Sequence, residues 1–372
     1  MNKWTFPTQI YAGPDSLNRL TEFSNESILI ICDPFLKDSP SLTYVMGLMD
    51  SKNKVTIYTD VVPDPPITHV VKGIEFMEGI KPTVIIAIGG GSCIDMSKGI
   101  AYFGRKLKHM DIKFFIAVPT TSGTGSEVTS FAVLTDSETQ IKYPLVDDAV
   151  LPDEALLTPL FVKTSPPNVT AFSGMDVLVH ALEAYVATAA NNFTDALAQQ
   201  AIELVFEYLP KCHKPSATEH ERMSMHEASC LAGLSFNRAG LGIVHAMAHQ
   251  LGGQFHVPHG LANSMLLPYV IGFNCSRNPA VAKKYARLSA KLGFAAHNVS
   301  EADKLAALIE AIVTLQHTLS CPMNLTAFGV DKATSESKVD LMADRALEDM
   351  CYRFNPYPAN HNDLVGLYKK VL

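Results

Sequence analysis

Between residues 174 and 260 one aspartate and several histidines stand at spacings that suit a divalent cation held among helices. In Gly174-Met175-Asp176-Val177-Leu178-Val179-His180 the carboxylate and the imidazole are four positions apart, so a helix projects both from one face. His245 and His249 repeat that spacing, and Val257-Pro258-His259-Gly260 adds a histidine just before a glycine. A mixed oxygen and nitrogen donor set suits a borderline first-row ion such as iron or zinc. The neighbours of these residues are small and apolar, where an unpaired polar side chain is costly and coordination would offset the cost. Spacing alone does not choose among His245, His249, His256 and His259. His69, His109, His213, His220, His226, His297, His317 and His361 lack such company and read as surface or packing residues.

Upstream lie two loops that could hold a phosphate. The apolar run Val84–Ile88 leads into Gly89-Gly90-Gly91-Ser92-Cys93-Ile94-Asp95-Met96-Ser97-Lys98. Three glycines leave backbone N–H groups bare, and a helix starting there would turn its positive end toward an anion. The segment is neither Gly-x-Gly-x-x-Gly nor a Walker A loop, and alone it reads equally well as a tight turn. A second loop, Val118-Pro119-Thr120-Thr121-Ser122-Gly123-Thr124-Gly125-Ser126-Glu127, follows another apolar run and carries five hydroxyl side chains. Two such loops after neighbouring strands make a dinucleotide crevice a better reading than two coincident turns. Asp33, at the end of an early strand, can accept from adenosine ribose hydroxyls and repel a 2′-phosphate, which favours NAD over NADP.

The elements that must carry these residues are legible in outline. Ser27–Cys32, Lys54–Tyr58, Thr83–Ile88 and Phe114–Val118 are unbroken apolar runs separated by helical stretches, the pattern of a parallel sheet covered on both faces. Beyond about residue 160 helical periodicity takes over, as in Thr194–Leu209 and Ser300–Leu319, with Pro166-Pro167 marking a helix entry. The expectation is an α/β chain: an open parallel-sheet dinucleotide-binding domain over residues 1–160, then an all-helical metal-binding domain over residues 161–372. The chain has 372 residues, 47% of them hydrophobic and 18% charged, and a formal net charge of −7, which argues against a nucleic-acid partner. No apolar run is long enough for a membrane span. Seven cysteines without a Cys-x-x-Cys pair read as reduced thiols of a cytoplasmic protein.

Taken together, five segments resemble the iron-containing (group III) alcohol dehydrogenases, in that family's order and over nearly the whole chain. They are Gly-Gly-Gly-Ser-x-x-Asp-x-x-Lys at 89–98, Pro-Thr-Thr-Ser-Gly-Thr-Gly-Ser-Glu at 119–127, Gly-Met-Asp-Val-Leu-Val-His-Ala-Leu-Glu at 174–183, Gly-Ile-Val-His-Ala-Met-Ala-His-Gln-Leu-Gly-Gly at 242–253 and Pro-His-Gly-Leu-Ala-Asn at 258–263. Within that family, the short stretch from Lys98 to Pro119 and the segment Ile141–Leu145 look most like the 1-propanol dehydrogenases of bacterial propanediol utilisation. The resemblance implies metal ligands at Asp176, His180, His245 and His259, with Fe(II) expected and Zn(II) suited to the same donors. It places His249 beside the nicotinamide as the candidate to orient a proton relay. Gly90, Gly91, Ser92 and Asp95 would hold the pyrophosphate, Thr120, Thr121 and Thr124 would line the cofactor crevice, and Lys142 would approach it. Asp33 matches the position tied to NAD preference.

The implied activity is NAD(H)-dependent oxidation of small primary alcohols such as 1-propanol, or the reverse reduction of aldehydes, with the ion as Lewis acid. A homodimer, and association with bacterial microcompartment components, are further implications. Thr158 before Pro159 departs from the aspartate common in the family, but threonine can still cap a helix. The competing catalytic reading is a dehydroquinate-synthase-type or glycerol-dehydrogenase-type metal enzyme of the same superfamily. The lyase would want basic residues around a phosphorylated substrate, and the metal-domain segments hold few. A non-enzymatic nucleotide sensor is the third reading, against which stand four intact ligand positions and both loops.

Overall fold

Six short segments of the first half pair as one parallel sheet, and the inner ones are apolar enough to be buried on both faces. In the computed structural model, which describes residues 4–136, 142–163 and 165–372, the chain divides into two compact units. The first comprises residues 1–165 and 222–237; the second comprises residues 166–221 and 238–372.

The first unit runs β1 (Gln9–Ala12), β2 (Ser27–Cys32), α1 (Pro40–Leu48), β3 (Lys54–Tyr58), α2 (Ile67–Ile80), β4 (Val84–Gly89), α3 (Gly91–Lys108), β5 (Phe114–Pro119), β6 (Phe131–Thr135), β7 (Lys142–Val146), β8 (Glu154–Leu157) and α4 (Pro159–Val162). The sheet order is β1-β8-β5-β4-β2-β3 with every pairing parallel, while β6 and β7 form a separate antiparallel pair. Successive residues point to opposite faces. Leu29, Ile31, Ile85, Ala87, Phe115 and Ala117 therefore meet Val70, Ile74 and Met77 of α2 and Cys93, Met96 and Ile100 of α3. Ile28, Ile30, Cys32, Val84, Ile86, Ile88, Ile116 and Val118 meet Leu17, Leu20 and the α1 residues Leu42 and Val45 on the other face. This two-sided burial is why the strands read as continuous apolar runs.

The four strands expected from the sequence are β2 to β5. Strands β1 and β8 and the β6–β7 hairpin escape such a reading. The first two are only four residues long, and β1 is largely exposed at the sheet edge. Thr158 does cap α4, its Oγ1 accepting from the Leu160 N–H at 3.2 Å.

The second unit is helical: α5 (Pro167–Val186), α6 (Asn192–Cys212), α8 (Ile243–Phe255), α9 (His259–Arg277), α10 (Pro279–Lys291), α11 (Glu301–Thr318), α12 (Leu325–Phe328), α13 (Lys332–Glu336), α14 (Val339–Glu348) and α15 (His361–Tyr368). Helix α7 (Glu219–Ala239) is the exception to a division along the chain at residue 160, because its body, 222–237, belongs to the first unit. Met223, Cys230 and Leu234 of α7 join Val128, Ala155 and Leu157 in one apolar cluster. Gly125, in the left-handed region at φ 62°, lies so close to Gly233 that a Cβ there would come within 2.7 Å of the Gly233 Cα. No helix among the described residues is long and apolar enough to cross a membrane. Among the described residues no disulfide links the seven cysteines.

The sheet core sets the stability of the first unit. Ile86 is fully buried in the central strand β4, so Ile86→Ala should cost about 2–5 kcal/mol through lost transfer energy and a residual cavity. The check is urea unfolding followed by circular dichroism, with a lowered midpoint and an unchanged slope.

Candidate metal centre and nucleotide loops

Helix α5 carries Asp176, His180 and Glu183 at i, i+4 and i+7, so all three project from one stripe. Helix α8 contributes His245, and α9 opens at His259. One donor atom from each of Asp176, His180, His245 and His259 lies within 4.8 Å of the others. Asp176 Oδ1 stands 4.0 Å from His180 Nε2, 3.7 Å from His245 Nε2 and 3.6 Å from His259 Nε2. Donors about 2.0–2.2 Å from a tetrahedral ion are about 3.4 Å apart, so a small contraction closes this set on a cation.

The electrostatics fit the same occupant. Burial pushes the Asp176 carboxyl up, yet the imidazoles of His180, His259 and His245 together hold it well below the usual range. Burial opposes a charge on His245, but Asp176 and Glu183 push its imidazole up to about 9. The centre thus draws positive charge. His245 Nδ1–H donates to Glu183 Oε2 at 2.6 Å, and Glu183 Oε1 accepts from the Val244 N–H at 2.7 Å. This pairing keeps one proton on Nδ1, so a cation that displaces the other meets the Nε2 lone pair on the side of Asp176, as a metal-ligating histidine requires.

The four histidines that spacing left open have separate places. His245 and His259 join the cluster. His256 is exposed and ends α8 in the left-handed conformation at φ 54°. His249 faces Asp349, its Nδ1–H donating to Oδ2 at 2.7 Å, while its ring stacks on His259 with centroids 5.3 Å apart. His249 thereby holds Burial-opposed Asp349 in its ionised form: burial raises that carboxyl, but His249 and the Cys351 N–H bring it down to about 2. Glu183, Asp349 and Asn263 were not singled out by sequence spacing. Glu183 and Asn263 lie within segments already noted, whereas Asp349 is a hundred residues from its partner and leaves no local signal. Asn263, one turn after His259, donates its Nδ2–H to Asp176 Oδ1 at 2.7 Å.

Gly260 makes the approach of α9 to α5 possible. A Cβ there would collide with the backbone carbonyl of Phe172 and come within 3.1 Å of the Asp176 Cβ.

In the first unit, the connection from β2 turns toward β3 and the connection from β4 turns the opposite way, toward β5. The carboxyl ends of β2 and β4 therefore flank a topological switch point, where open α/β sheets bind their ligands. Asp33 ends β2 and the glycine run ends β4, with Asp33 Oδ2 accepting from the Gly90 N–H at 3.2 Å. Gly90 caps α3 and Gly91 starts it. The hydroxyl loop after β5 lies against this turn. Gly91 packs on the Thr124 side chain, Gly90 on Thr121, and the Thr120 N–H donates to the Gly89 carbonyl at 3.0 Å. Ser92 Oγ accepts from the Asp64 N–H at 3.3 Å.

Asp95 turns its carboxylate to the Ser126 hydroxyl and to the Val133 N–H at 2.9 Å, so it anchors the hydroxyl loop and the β6 strand. The fully buried Lys98 ammonium donates to the carbonyls of Thr129 at 2.8 Å and Phe131 at 2.6 Å. Lys142 begins β7, and its side chain lies outside the described residues, as does Ile141. His226, expected at the surface or in packing, is buried, and its Nδ1 shares a 3.0 Å hydrogen bond with the Ser122 hydroxyl of the hydroxyl loop.

A glycine turn at the switch point of a parallel sheet and an Asp-His-His-His cluster among helices fit a nucleotide- and metal-dependent oxidoreductase. The comparisons agree. Residues 7–159 match the family described as "Iron-containing alcohol dehydrogenase", and residues 170–372 match "Fe-containing alcohol dehydrogenase family, C-terminal". The chain is 44% identical over 372 residues to the 1-propanol dehydrogenase PduQ of Salmonella typhimurium, covering 100% of both. It is 38% identical to an NADPH-dependent butanol dehydrogenase of Clostridium saccharobutylicum, covering 100% of this chain and 98% of the relative. A crystal structure of a 1,3-propanediol oxidoreductase aligns over 100% of both chains with a TM-score of 0.92 at 32% identity. The chain belongs to the iron-containing alcohol dehydrogenase family, and these relatives do not favour the lyase or glycerol-dehydrogenase reading.

Two outcomes test the geometry. Gly260→Ala should push the first turn of α9 off α5 and displace His259, so metal content by mass spectrometry should fall well below one ion per chain. Burial lowers the His226 pKa to about 4 against the opposing pull of the Pro119 carbonyl. The unfolded chain therefore binds the extra proton between pH 4 and 6.5, and stability is lost as pH falls through that window. His226→Asn should remove on the order of 3 kcal/mol of this acid sensitivity, read from urea unfolding at pH 7 and pH 4.

Proposed function

We propose that the protein is an NAD(H)-dependent alcohol dehydrogenase and aldehyde reductase for small primary alcohols such as 1-propanol, with Fe(II) at Asp176, His180, His245 and His259. The observation that carries the reading is the convergence of those four donor groups in one cluster of the helical unit, three of them buried and His259 partly open. Zn(II) suits the same donors. When bound, the cation supplies Lewis acidity toward the substrate oxygen. NAD supplies the hydride acceptor.

The chain's own residues have the following work. Asp33 has one carboxylate oxygen committed to Gly90 and offers the other to ribose hydroxyls, where it would repel a 2′-phosphate. Gly91 and Ser92 at the start of α3 present backbone N–H groups to a pyrophosphate, and Gly90, whose own N–H is given to Asp33, leaves room for its approach. Thr120, Thr121 and Thr124 line the same turn, and Lys142 is assigned to the cofactor as well. The contribution of Asp95 is to hold the hydroxyl loop in place, since a carboxylate does not attract a pyrophosphate. Oxidation of an alcohol releases a hydroxyl proton, and His249 is the group proposed to take it at Nε2. Asp349 fixes the His249 tautomer and stabilises the imidazolium that forms. Asp349→Asn should then keep metal content near wild type while lowering kcat by about 10–100-fold.

A homodimer in the cytoplasm, associated with bacterial microcompartment components, completes the proposal on the strength of the sequence resemblance. The decisive assay is NADH oxidation with acetaldehyde, propionaldehyde, butyraldehyde and lactaldehyde, using stripped protein reloaded with Fe(II) or Zn(II). Propionaldehyde turnover that follows restored metal is the expected result, and His259→Ala should lose metal and turnover together. Activity persisting in metal-free protein would refute the reading. One relative is named for NADPH, so cofactor choice is tested at Asp33. Asp33→Ala should move the NADH-to-NADPH preference toward NADPH by about 10-fold or more.

A further inference from the structure

Asn263 occupies an unusual position in the helical unit. It is fully buried, on α9, one turn beyond His259. Its Nδ2 lies 2.7 Å from Asp176 Oδ1, 3.1 Å from His245 Nε2 and 3.1 Å from His259 Nε2. An amide nitrogen has two hydrogens, and in the metal-ready state, with each Nε2 unprotonated, three acceptors surround it. The other end of the group, Oδ1, is buried and meets no hydrogen-bond donor among the described residues. A buried acceptor left unmade is costly, so the amide holds this orientation because the carboxylate and imidazole acceptors demand a donor there.

Those acceptors are also the atoms that would bind a cation. We infer that Asn263 is a positioning residue for the metal centre: it orients the Asp176 carboxylate and keeps three ligand side chains, on three helices, converged before the ion enters. Once the imidazole lone pairs turn to a cation, the bond to Asp176 is the one the amide retains. A carboxylate fixed by an outer donor loses less freedom on coordination, and such partners are typically worth about 10–100-fold in metal affinity. Glu183 plays the matching part for His245, so two of the four ligands have dedicated supports. The inference rests on the reading of the four-residue cluster as a metal site.

Its test uses metal-stripped full-length protein titrated with Co(II) against a competing chelator, with the visible d–d spectrum recorded. Asn263→Leu keeps the volume and removes the donor; Asn263→Ala removes both. Each should weaken Co(II) binding by about 10–100-fold and shift the d–d bands, because the carboxylate would rotate. Asn274→Ala serves as control, since Asn274 is buried on the same helix but pairs with Asn355. It should leave the spectrum unchanged even if it lowers the melting temperature. Wild-type affinity and spectrum in both Asn263 variants would overturn the inference and leave the metal reading standing. Failure of the wild-type protein to bind Co(II), Fe(II) or Zn(II) would overturn both.

Discussion

A carboxylate buried among helices with three imidazoles around it is stable only if positive charge comes to it. Asp176 is in that condition, and much of the helical unit follows from the need to meet it. Its Oδ1 faces three Nε2 atoms and the Asn263 amide. Protons or a cation can supply the charge, and a cation does so while satisfying all four donors at once. The surrounding residues are arranged for that second solution. Glu183 keeps the His245 proton on the far nitrogen, and the rings of His180 and His245 stack 4.6 Å apart with their Nε2 edges turned the same way, toward Asp176.

Helix contact distances translate this chemistry into packing. Three helices must bring side chains of moderate length within coordination range of one point. Gly260 removes the Cβ that would otherwise hold α9 away from the Phe172 carbonyl of α5. Asp349 is outside that cluster: it pairs with His249, whose ring stacks on His259. The two histidines on neighbouring turns of α8 therefore have different partners, His245 in the cluster with Asp176 and His249 paired with Asp349.

The sheet unit is organised around the turn from β4 into α3. Opposite connections from β2 and β4 open the sheet at its carboxyl edge, and the turn into α3 presents backbone N–H groups there. The polar side chains nearby are mostly occupied in keeping that turn still. Asp95 and Lys98 tie the strand-to-helix segment to the 126–133 stretch, and His226 braces Ser122 from α7. The buried ammonium is satisfied by carbonyl and hydroxyl oxygens of Thr129 and Phe131, so its task is structural.

Residue types and their periods, read along the chain, already determine the class of each half. Unbroken apolar runs specify strands buried on two faces, and the i, i+4 pairs Asp176/His180 and His245/His249 place polar side chains together on single helical faces, because both signals are local and repeat with the backbone. The glycine and hydroxyl loops are legible for the same reason. What only the tertiary structure decided is which of four histidines share a point, since helix-to-helix approach and not spacing brings His259 to Asp176 and sends His249 to Asp349. It also decided that Asp95 and His226 support the hydroxyl loop, and that α7 belongs with the sheet, contacts made between residues far apart in sequence. Short edge strands and the β6–β7 hairpin gain their conformation from neighbours rather than from their own composition, so no periodicity announces them.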